Sequence, residues 1–242
     1  MKVTDIKTDI RTVMNVQILL PIAAILLAIV PIALRFTVMP PEPSGTESSE
    51  DKPLIALPIR PALPPIDRIN QTNRCPDCIL EQVDLQGRDL SRIDLTRANL
   101  RQAKFTKAIL INAMLVRAML RNANFQEAQL QGADLGEADL RNANLQEAQM
   151  LHSSLSRANL TEAQLQDAEL RDADLSNANL QEANFTNASL YGAILRNANL
   201  RDANFTGADL RYADLSEADL TGTNLTNARL DFATLPPNWR SP

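Results

Sequence analysis

The chain has 242 residues, of which 45% are hydrophobic and 22% charged, with a net charge of −5 and 4% aromatic residues. One His and two Cys leave little material for a Ser-His-Asp triad, a Cys-His dyad or a four-ligand zinc site. The acidic balance argues against general nucleic-acid binding, which needs a basic surface. Composition therefore favours a non-catalytic binding or structural protein, and we expect no cofactor and no nucleic-acid partner.

The first segment is typical of a membrane anchor. Residues 12–34 carry no charged side chain, and the run from Ile18 to Leu34 contains only apolar residues and Pro. About 20 such residues in a helix span the ~30 Å hydrocarbon layer of a bilayer. We therefore expect a transmembrane helix over 13–36. We favour it over a cleaved signal peptide because the apolar run exceeds the usual signal core.

Flanking cations set the expected orientation of this anchor. Lys2, Lys7 and Arg11 precede it, whereas Arg35 is the nearest cation that follows. Because the cytoplasmic flank of a membrane helix carries the excess of Lys and Arg, we expect residues 1–12 to form a cytoplasmic tail. The rest of the chain would then lie in a periplasmic, lumenal or extracellular space.

A proline-rich segment follows the anchor, with eight prolines from Pro40 to Pro65. Proline removes backbone donors and holds the chain extended. We therefore interpret residues 37–74 as a semi-rigid linker. Proline-rich segments also bind aromatic grooves, but the spacer is the favoured interpretation.

The next part is a repeat with a period of five. In the 31 pentads from Glu81 to Leu235 the fifth residue is Leu in 26, Phe in four and Met in one, and the third is Ala in 26. Residues five apart step about 140° around an α-helix and form no stripe, and they alternate between the faces of a straight strand. The Ala and Leu positions, two apart, therefore point inward, and the remaining two residues turn a corner.

Four corners per coil are indicated by residues that recur every 20 positions. The four phenylalanines at the fifth position share one such column: Phe105, Phe125, Phe185 and Phe205. The residue after this column is Gln or Thr from Gln86 to Thr226. We therefore predict an all-β solenoid of four-sided coils over 75–235, with about eight coils stacked ~4.8 Å apart.

The pattern Ala-(Asp/Asn)-Leu-x-x, as in Ala133-Asp134-Leu135, resembles the pentapeptide-repeat family over about two-thirds of the chain. The resemblance implies a right-handed quadrilateral β-helix whose core consists of the Leu or Phe and the Ala two residues before it. It also implies that the four phenylalanines stack in one interior column. Some members of this family mimic DNA in shape and charge and bind type II topoisomerases.

Several residues depart from the pattern. Arg88 takes an inward Ala position, where an unpaired buried charge is costly, so we expect an irregular or open first coil. Val83 and Ile93 overfill the same position, whereas Ser153 and Thr223 require an internal hydrogen bond.

Both ends of a solenoid need caps. Cys75 and Cys78 both fall at core positions, where we expect a short structural disulfide or two buried thiols; a redox or zinc site is disfavoured. At the other end, residues 236–242 form the expected cap or tail, in which two prolines stop the ladder and Trp239 covers the last coil.

Two surface features indicate partners. Residues 81–121 carry a net charge of +4 and residues 122–242 a net charge of −9, so the end near the anchor suits anionic lipid headgroups. One run of solvent-facing positions is apolar, as expected for a protein partner or self-association: Ile109, Ile111, Met114, Val116 and Met119. A second, looser apolar cluster lies further along the chain: Tyr191, Ile194, Tyr212 and Phe232.

We therefore hypothesise a membrane-anchored scaffold or protein-interaction module that presents a rigid rod outside the cytoplasm, with the bilayer and a protein as partners. The alternative, implied by the resemblance, is a DNA mimic that binds a topoisomerase. Its candidate phosphate mimics are Asp134, Asp139, Asp174, Asp209, Asp214 and Asp219. Interspersed arginines and the expected orientation disfavour this alternative.

Overall fold

The computed structural model describes residues 63–237 and Trp239. The expected cytoplasmic tail 1–12, the expected transmembrane helix 13–36 and the linker up to residue 62 lie outside the described residues. Across the part that is described, no helix is both long and apolar enough to cross a bilayer.

Residues 75–234 wind into eight coils of 20 residues each. Parallel backbone bridges join the residue before each Leu to the residue 20 positions later, from Arg74–Asp94 to Asp214–Thr234. This register confirms the four-sided solenoid predicted from the sequence. The bridges are contacts of single residues, and over residues 63–237 the one helix is α1, Pro65–Thr72, with no extended strand.

Each coil has four faces, and the bridge residues define them. Face 1 carries Asp94 and every twentieth residue from it, face 2 Asn99, face 3 Lys104 and face 4 Ile109, each with its own column. A corner is named by the two faces that it joins. Side chains 20 residues apart therefore lie one above the other, about 4.8 Å apart.

A tight turn forms every corner. The N–H of each third pentad residue bonds to the carbonyl three residues earlier, as Ala118 does to Leu115 at 3.0 Å. The second turn residue has a positive φ, for example 57° at Arg117, and this combination is that of a type II turn. Residues other than Gly tolerate the left-handed conformation here because ladder bonds fix the backbone on both sides of the turn.

The Asp or Asn before each Leu completes the backbone hydrogen bonding. Leu115 donates to the carbonyl of Asp134 in the next coil at 2.7 Å, and the other ladder bonds follow the same scheme. The first turn residue is left over, and the side chain two positions before it accepts its N–H, as Asp134 Oδ1 does from Gly136 at 3.0 Å. All 18 Asp and Asn residues at bridge positions from Asp84 to Asn224 make this bond.

The interior of the rod is apolar and closely filled. The Phe105 and Phe125 rings stack 4.7 Å apart, and those of Phe185 and Phe205 stack 4.6 Å apart, each pair within 4° of parallel. Two buried leucines of the same column, at 145 and 165, separate the pairs. The column thus contains two stacked pairs of rings, with aliphatic side chains between them.

Helix α1 closes the N-terminal end of the rod. Its Ile69 is 3% exposed and belongs to the core, and Ile66 packs against the same cluster. Asn73 ends the helix in a left-handed conformation, and its N–H donates to the Ile69 carbonyl at 3.0 Å. The helix lies inside the interval 37–74 that we interpreted as a linker, and its eight residues, which begin at the second of two adjacent prolines, carried too weak a helical pattern to reveal it.

The expectation of an irregular first coil is wrong. Regular bridges at Asp84 and Asp89 flank Arg88 on both sides. Because Arg88 lies in the terminal coil, its side chain leaves the core position and donates a hydrogen bond to Asn70 of α1. The two internal polar residues are satisfied as required: Ser153 Oγ donates to the Met150 carbonyl and Thr223 Oγ1 to the Leu200 carbonyl, both at 2.8 Å.

The C-terminal end is less completely covered. The leucines of the last circuit are half-buried, at positions 220, 225, 230 and 235. Trp239, also half-buried, lines a shallow depression together with Leu225 and Leu230.

Candidate interaction surfaces

Any site on the described part of the rod must lie on its outside. Among the described residues, the buried side chains are apolar apart from Asp94 and Ser153. Over the same residues there is no group of three or more His, Cys, Asp or Glu side chains placed to hold a metal ion. Functional contacts of the described residues are therefore expected at surface side chains, which repeat at the coil spacing.

Four successive bridge positions lack the Asp or Asn that satisfies the turn. They are Lys104, Ile109, Met114 and Met119, one on each face, and we call them the belt. None offers a side-chain oxygen to the N–H two residues later. A net hydrogen bond contributes about 0.5–1.5 kcal/mol, so the belt gives up local stability at all four corners of one circuit.

The apolar run predicted from the sequence does not form one flat patch. Ile109 lies on face 4, Met114 on face 1 and Met119 on face 2, while Ile111 and Val116 occupy the corners between them. Met114 is 49% exposed, and the other four are half-buried. The run therefore wraps around half of the rod, centred on face 1.

The later apolar cluster is more compact. The rings of Tyr191, Tyr212 and Phe232 climb the corner between faces 4 and 1, with successive centroids 5.1 and 4.9 Å apart. The Arg211 guanidinium lies 5.4 Å from the Tyr191 ring centroid, and Ile194 is exposed on the adjoining face 1. Sequence reasoning missed Leu151, which lies on this same corner two coils from Tyr191; a search of the 20-residue columns reveals it.

Cys75 and Cys78 form a disulfide, with the sulfur atoms 1.98 Å apart. Both residues are buried, and the Cys75 sulfur lies 3.4 Å from the Pro65 carbonyl oxygen of α1. The bridge thus lies directly beneath the capping helix.

Arginine neutralises most of the acids proposed as phosphate mimics. Arg141 binds Asp139 through two bonds of 2.7 and 2.6 Å, and Arg211 binds Asp209 at 2.8 and 2.6 Å. These hydrogen bonds hold the pKa of both carboxyl groups below the usual range, against the opposing effect of burial. Two more acids of the set pair with Arg196 and Arg201.

The surface of the basic end is also paired. Arg97 bonds to Asp77 at 2.7 Å and Arg117 to Glu137 at 2.8 Å, each across one coil step. These hydrogen bonds hold the pKa of both acids low. Four of the eight Lys and Arg residues in 81–121 thus form ion pairs, so the +4 excess is not a row of free cations.

Comparison with known proteins identifies a family model and several solved structures that are similar to this chain. The family model described as pentapeptide repeats matches well over half of the chain, continuously from 78 to 235, through residues 78–115, 98–136, 123–162, 133–171, 168–207 and 203–235. No curated protein sequence gives a match.

Several solved structures are similar. QnrB1, a plasmid-mediated fluoroquinolone resistance protein, is 20% identical with a TM-score of 0.51, covering 65% of this chain and 86% of its own. HetL of the cyanobacterium Nostoc sp. strain PCC 7120, a pentapeptide repeat protein involved in heterocyst differentiation regulation, is 29% identical with a TM-score of 0.29, covering 73% and 98%. A pentapeptide repeat protein of the Arabidopsis thaliana thylakoid lumen is 38% identical with a TM-score of 0.30, covering 36% and 65%. The likeness to QnrB1 supports the fold.

Proposed function

This chain belongs to the pentapeptide-repeat family, and from that premise we propose that it is a non-catalytic scaffold that binds a protein partner through the belt. The proposal also includes an N-terminal membrane anchor that holds the rod outside the cytoplasm. The partner surface is centred on Met114, with Ile109 and Met119 on the adjoining faces.

The missing turn acceptors of the belt carry this proposal. At 18 of the 25 other bridge positions from Asp84 to Asn224, Asp or Asn satisfies the turn, so the same residue types could also occupy positions 109, 114 and 119. Each of these residues instead leaves an N–H without its acceptor and keeps apolar surface next to solvent. Surface that reduces local stability without burying the side chain is expected where a partner covers it.

The test restores the turn and removes the apolar surface together. In the full-length chain, Met114→Asn with Met119→Asn should leave the thermal midpoint unchanged or raise it, because both side chains supply the missing acceptor. Recovery of a crosslinked protein partner should fall about tenfold. Gln129→Asn is the matched control, since it installs the same acceptor outside the belt. Equal recovery from the double variant and the control would remove the belt from the proposal.

The anchor and its orientation rest on the uncharged run 12–34 and its preceding cations. The Cys75–Cys78 disulfide supports an oxidising compartment for the rod, because such bonds persist outside the reducing cytosol. Alkylation in intact cells, before and after reduction, measures this directly. We expect Cys75 and Cys78 to resist alkylation until reductant is added. Alkylation of the two thiols in untreated cells would contradict the proposed orientation.

DNA mimicry is the second candidate, supported by the net charge of −9 over residues 122–242. The ion pairs of Asp139, Asp209, Asp214 and Asp219 count against it, because a phosphate mimic needs free negative charge. A supercoiling assay with the full-length chain distinguishes the candidates. We expect no effect on a type II topoisomerase at micromolar protein, and inhibition at that concentration would favour mimicry.

A further inference from the structure

One corner of the rod carries apolar side chains in three alternate coils. Along the corner between faces 4 and 1, the first turn residue is Ile111, Leu151 and Tyr191 in coils two, four and six. We call these three residues the ridge. The coils between them carry Gln131 and Arg171 at the same position. With coils about 4.8 Å apart, ridge residues repeat every ~9.6 Å and span ~19 Å.

A polyproline II helix has nearly the same repeat. It rises 3.1 Å per residue with three residues per turn, so one of its faces recurs every ~9.3 Å. This chain contains prolines at that spacing, at Pro58, Pro61 and Pro64. Pro64 precedes α1 with φ −49° and ψ 145°, close to the polyproline II region. Three prolines over ~19 Å thus match three ridge residues over the same length.

We propose that the ridge binds the proline-rich segment 53–64 of a second copy of this chain. In the same copy Pro64 leads directly into α1 at the end of the rod, where its carbonyl accepts a bond from Arg68 at 3.0 Å. It therefore lies before the first coil and is not placed against Ile111 in the second. A partner copy has no such restriction.

Charge complementarity supports this occupant. A shallow groove on face 4 runs beside the ridge, and its lining includes Glu147, Asp167 and Glu169 with Arg171. Arg171 bonds to Glu169 at 2.7 Å, whereas Glu147 and Asp167 form no ion pair within residues 63–237. Arg60 falls between Pro58 and Pro61 in the sequence, so in the proposed complex it would lie on the flank of a polyproline helix whose prolines face the ridge. It would meet these two carboxylates.

This inference goes beyond the function proposed above, since its partner is a second copy of the chain and its surface meets the belt region only at Ile111. The belt variants leave Leu151 and Tyr191 intact, and ridge variants leave Met114 and Met119 intact. Failure of one proposal therefore does not decide the other.

The first measurement is self-association of the full-length chain in detergent micelles by analytical ultracentrifugation. Leu151→Gln with Tyr191→Gln should raise the dissociation constant at least about tenfold, because apolar contact area is lost. Both changes copy Gln131 of the same column, so the fold is retained. Ile79→Gln, at an exposed apolar position on face 2, is the matched control and should leave the constant unchanged.

The second measurement identifies the occupant. Pro58→Ala with Pro61→Ala should weaken self-association as much as the ridge variant does. A synthetic peptide of residues 53–64 should bind this proline variant and fail to bind the ridge variant. A monomeric wild type, equal association by the ridge variant and the Ile79 control, or peptide binding that does not depend on the ridge would each overturn the proposal.

Discussion

The two ends of the rod solve the same physical problem to different degrees. Every coil needs a neighbour to cover its apolar interior, and the first and last coils lack one. At the N-terminal end α1 supplies the cover: its Ile69 packs into the core, the Cys75–Cys78 disulfide lies beneath it, and Leu85 is fully buried. At the C-terminal end Trp239 is the described residue over the last coil, and Leu225 remains half-buried.

The difference shows how local stability is distributed along a quasi-one-dimensional fold. Each coil is stabilised by its own turns and by its nearest neighbours. We therefore expect opening to begin at the C-terminal coil and to proceed towards the sealed end. The belt and the ridge both begin in coil two, near that sealed end.

The largest expected effect on stability comes from truncating Leu85, which we compare with Leu225 of the same column. Leu85→Ala leaves a cavity in a closed coil and should lower the free energy of unfolding by about 3 kcal/mol, whereas Leu225→Ala should lower it by about 1 kcal/mol because its site is already partly hydrated. Urea unfolding of the full-length chain measures both. Equal losses would contradict the asymmetry of the ends.

The next effect concerns the capping helix itself. Ile69→Ala should lower the free energy of unfolding by about 2 kcal/mol and accelerate hydrogen exchange in the first coil. Gln71→Ala, an exposed position on the same helix, is the control and should leave exchange unchanged. If exchange in the first coil did not respond to Ile69, the helix would not be its cap.

Reduction of the disulfide should have a similar or slightly smaller effect. The short Cys75–Cys78 loop restricts few unfolded conformations, so the chain-entropy estimate is about 2 kcal/mol. Unfolding with and without reductant, compared with the Cys75→Ser, Cys78→Ser variant, measures this difference. Reductant should have no effect on the variant, and loss of exchange protection beyond the first coils would contradict a local role.

The smallest expected effect is the pH-dependent stability contributed by two carboxylates of face 1, Asp94 and Asp214. Burial raises the pKa of Asp94, but hydrogen bonds from Thr96 and Arg74 outweigh it, and bonds from Ser216 and then Arg196 lower the pKa of Asp214. Because both pKa values lie below the unfolded value near ~3.9, each carboxylate stabilises the fold above about pH 4. That stabilisation is lost as the pH falls through the folded pKa.

Asp94→Asn and Asp214→Asn should each remove up to about 1 kcal/mol of this pH-dependent stability, measured as the change in unfolding free energy between pH 7 and pH 3. Asn keeps the turn acceptor, so the variants isolate the charge. Should either variant retain the full acid response of the wild type, that carboxylate would contribute nothing to it.

The fold follows from the sequence because a period of five is incompatible with a straight helix or strand. The 20-residue recurrence of Phe105 and its column supplied the number of faces. The role of the Asp or Asn before each Leu could not be predicted from the sequence, because it depends on which backbone N–H has no acceptor in the ladder. Helix α1 was missed for the related reason that its stability comes from packing Ile69 on the first coil.

The candidate surfaces were predictable only in part. The apolar run 109–119 was visible in the sequence, but its distribution over three faces required the register. Leu151 is an isolated apolar residue in the linear sequence, and only the 20-residue column aligns it with Ile111 and Tyr191. A surface on a solenoid is assembled from residues 20 apart, so a linear scan reveals patches within one coil and misses those that run along the rod.

The 20-residue register also constrains how such a chain changes its length in evolution. Gain or loss of a single pentad preserves the interior, because every pentad offers the same inward pair, but it rotates everything downstream by a quarter turn. An insertion of five residues after Ile111 would move Leu151 and Tyr191 to a different side of the molecule. Duplication of a whole coil keeps the outward-facing residues aligned. Chains that retain an elongated recognition surface are therefore expected to lengthen in multiples of 20 residues.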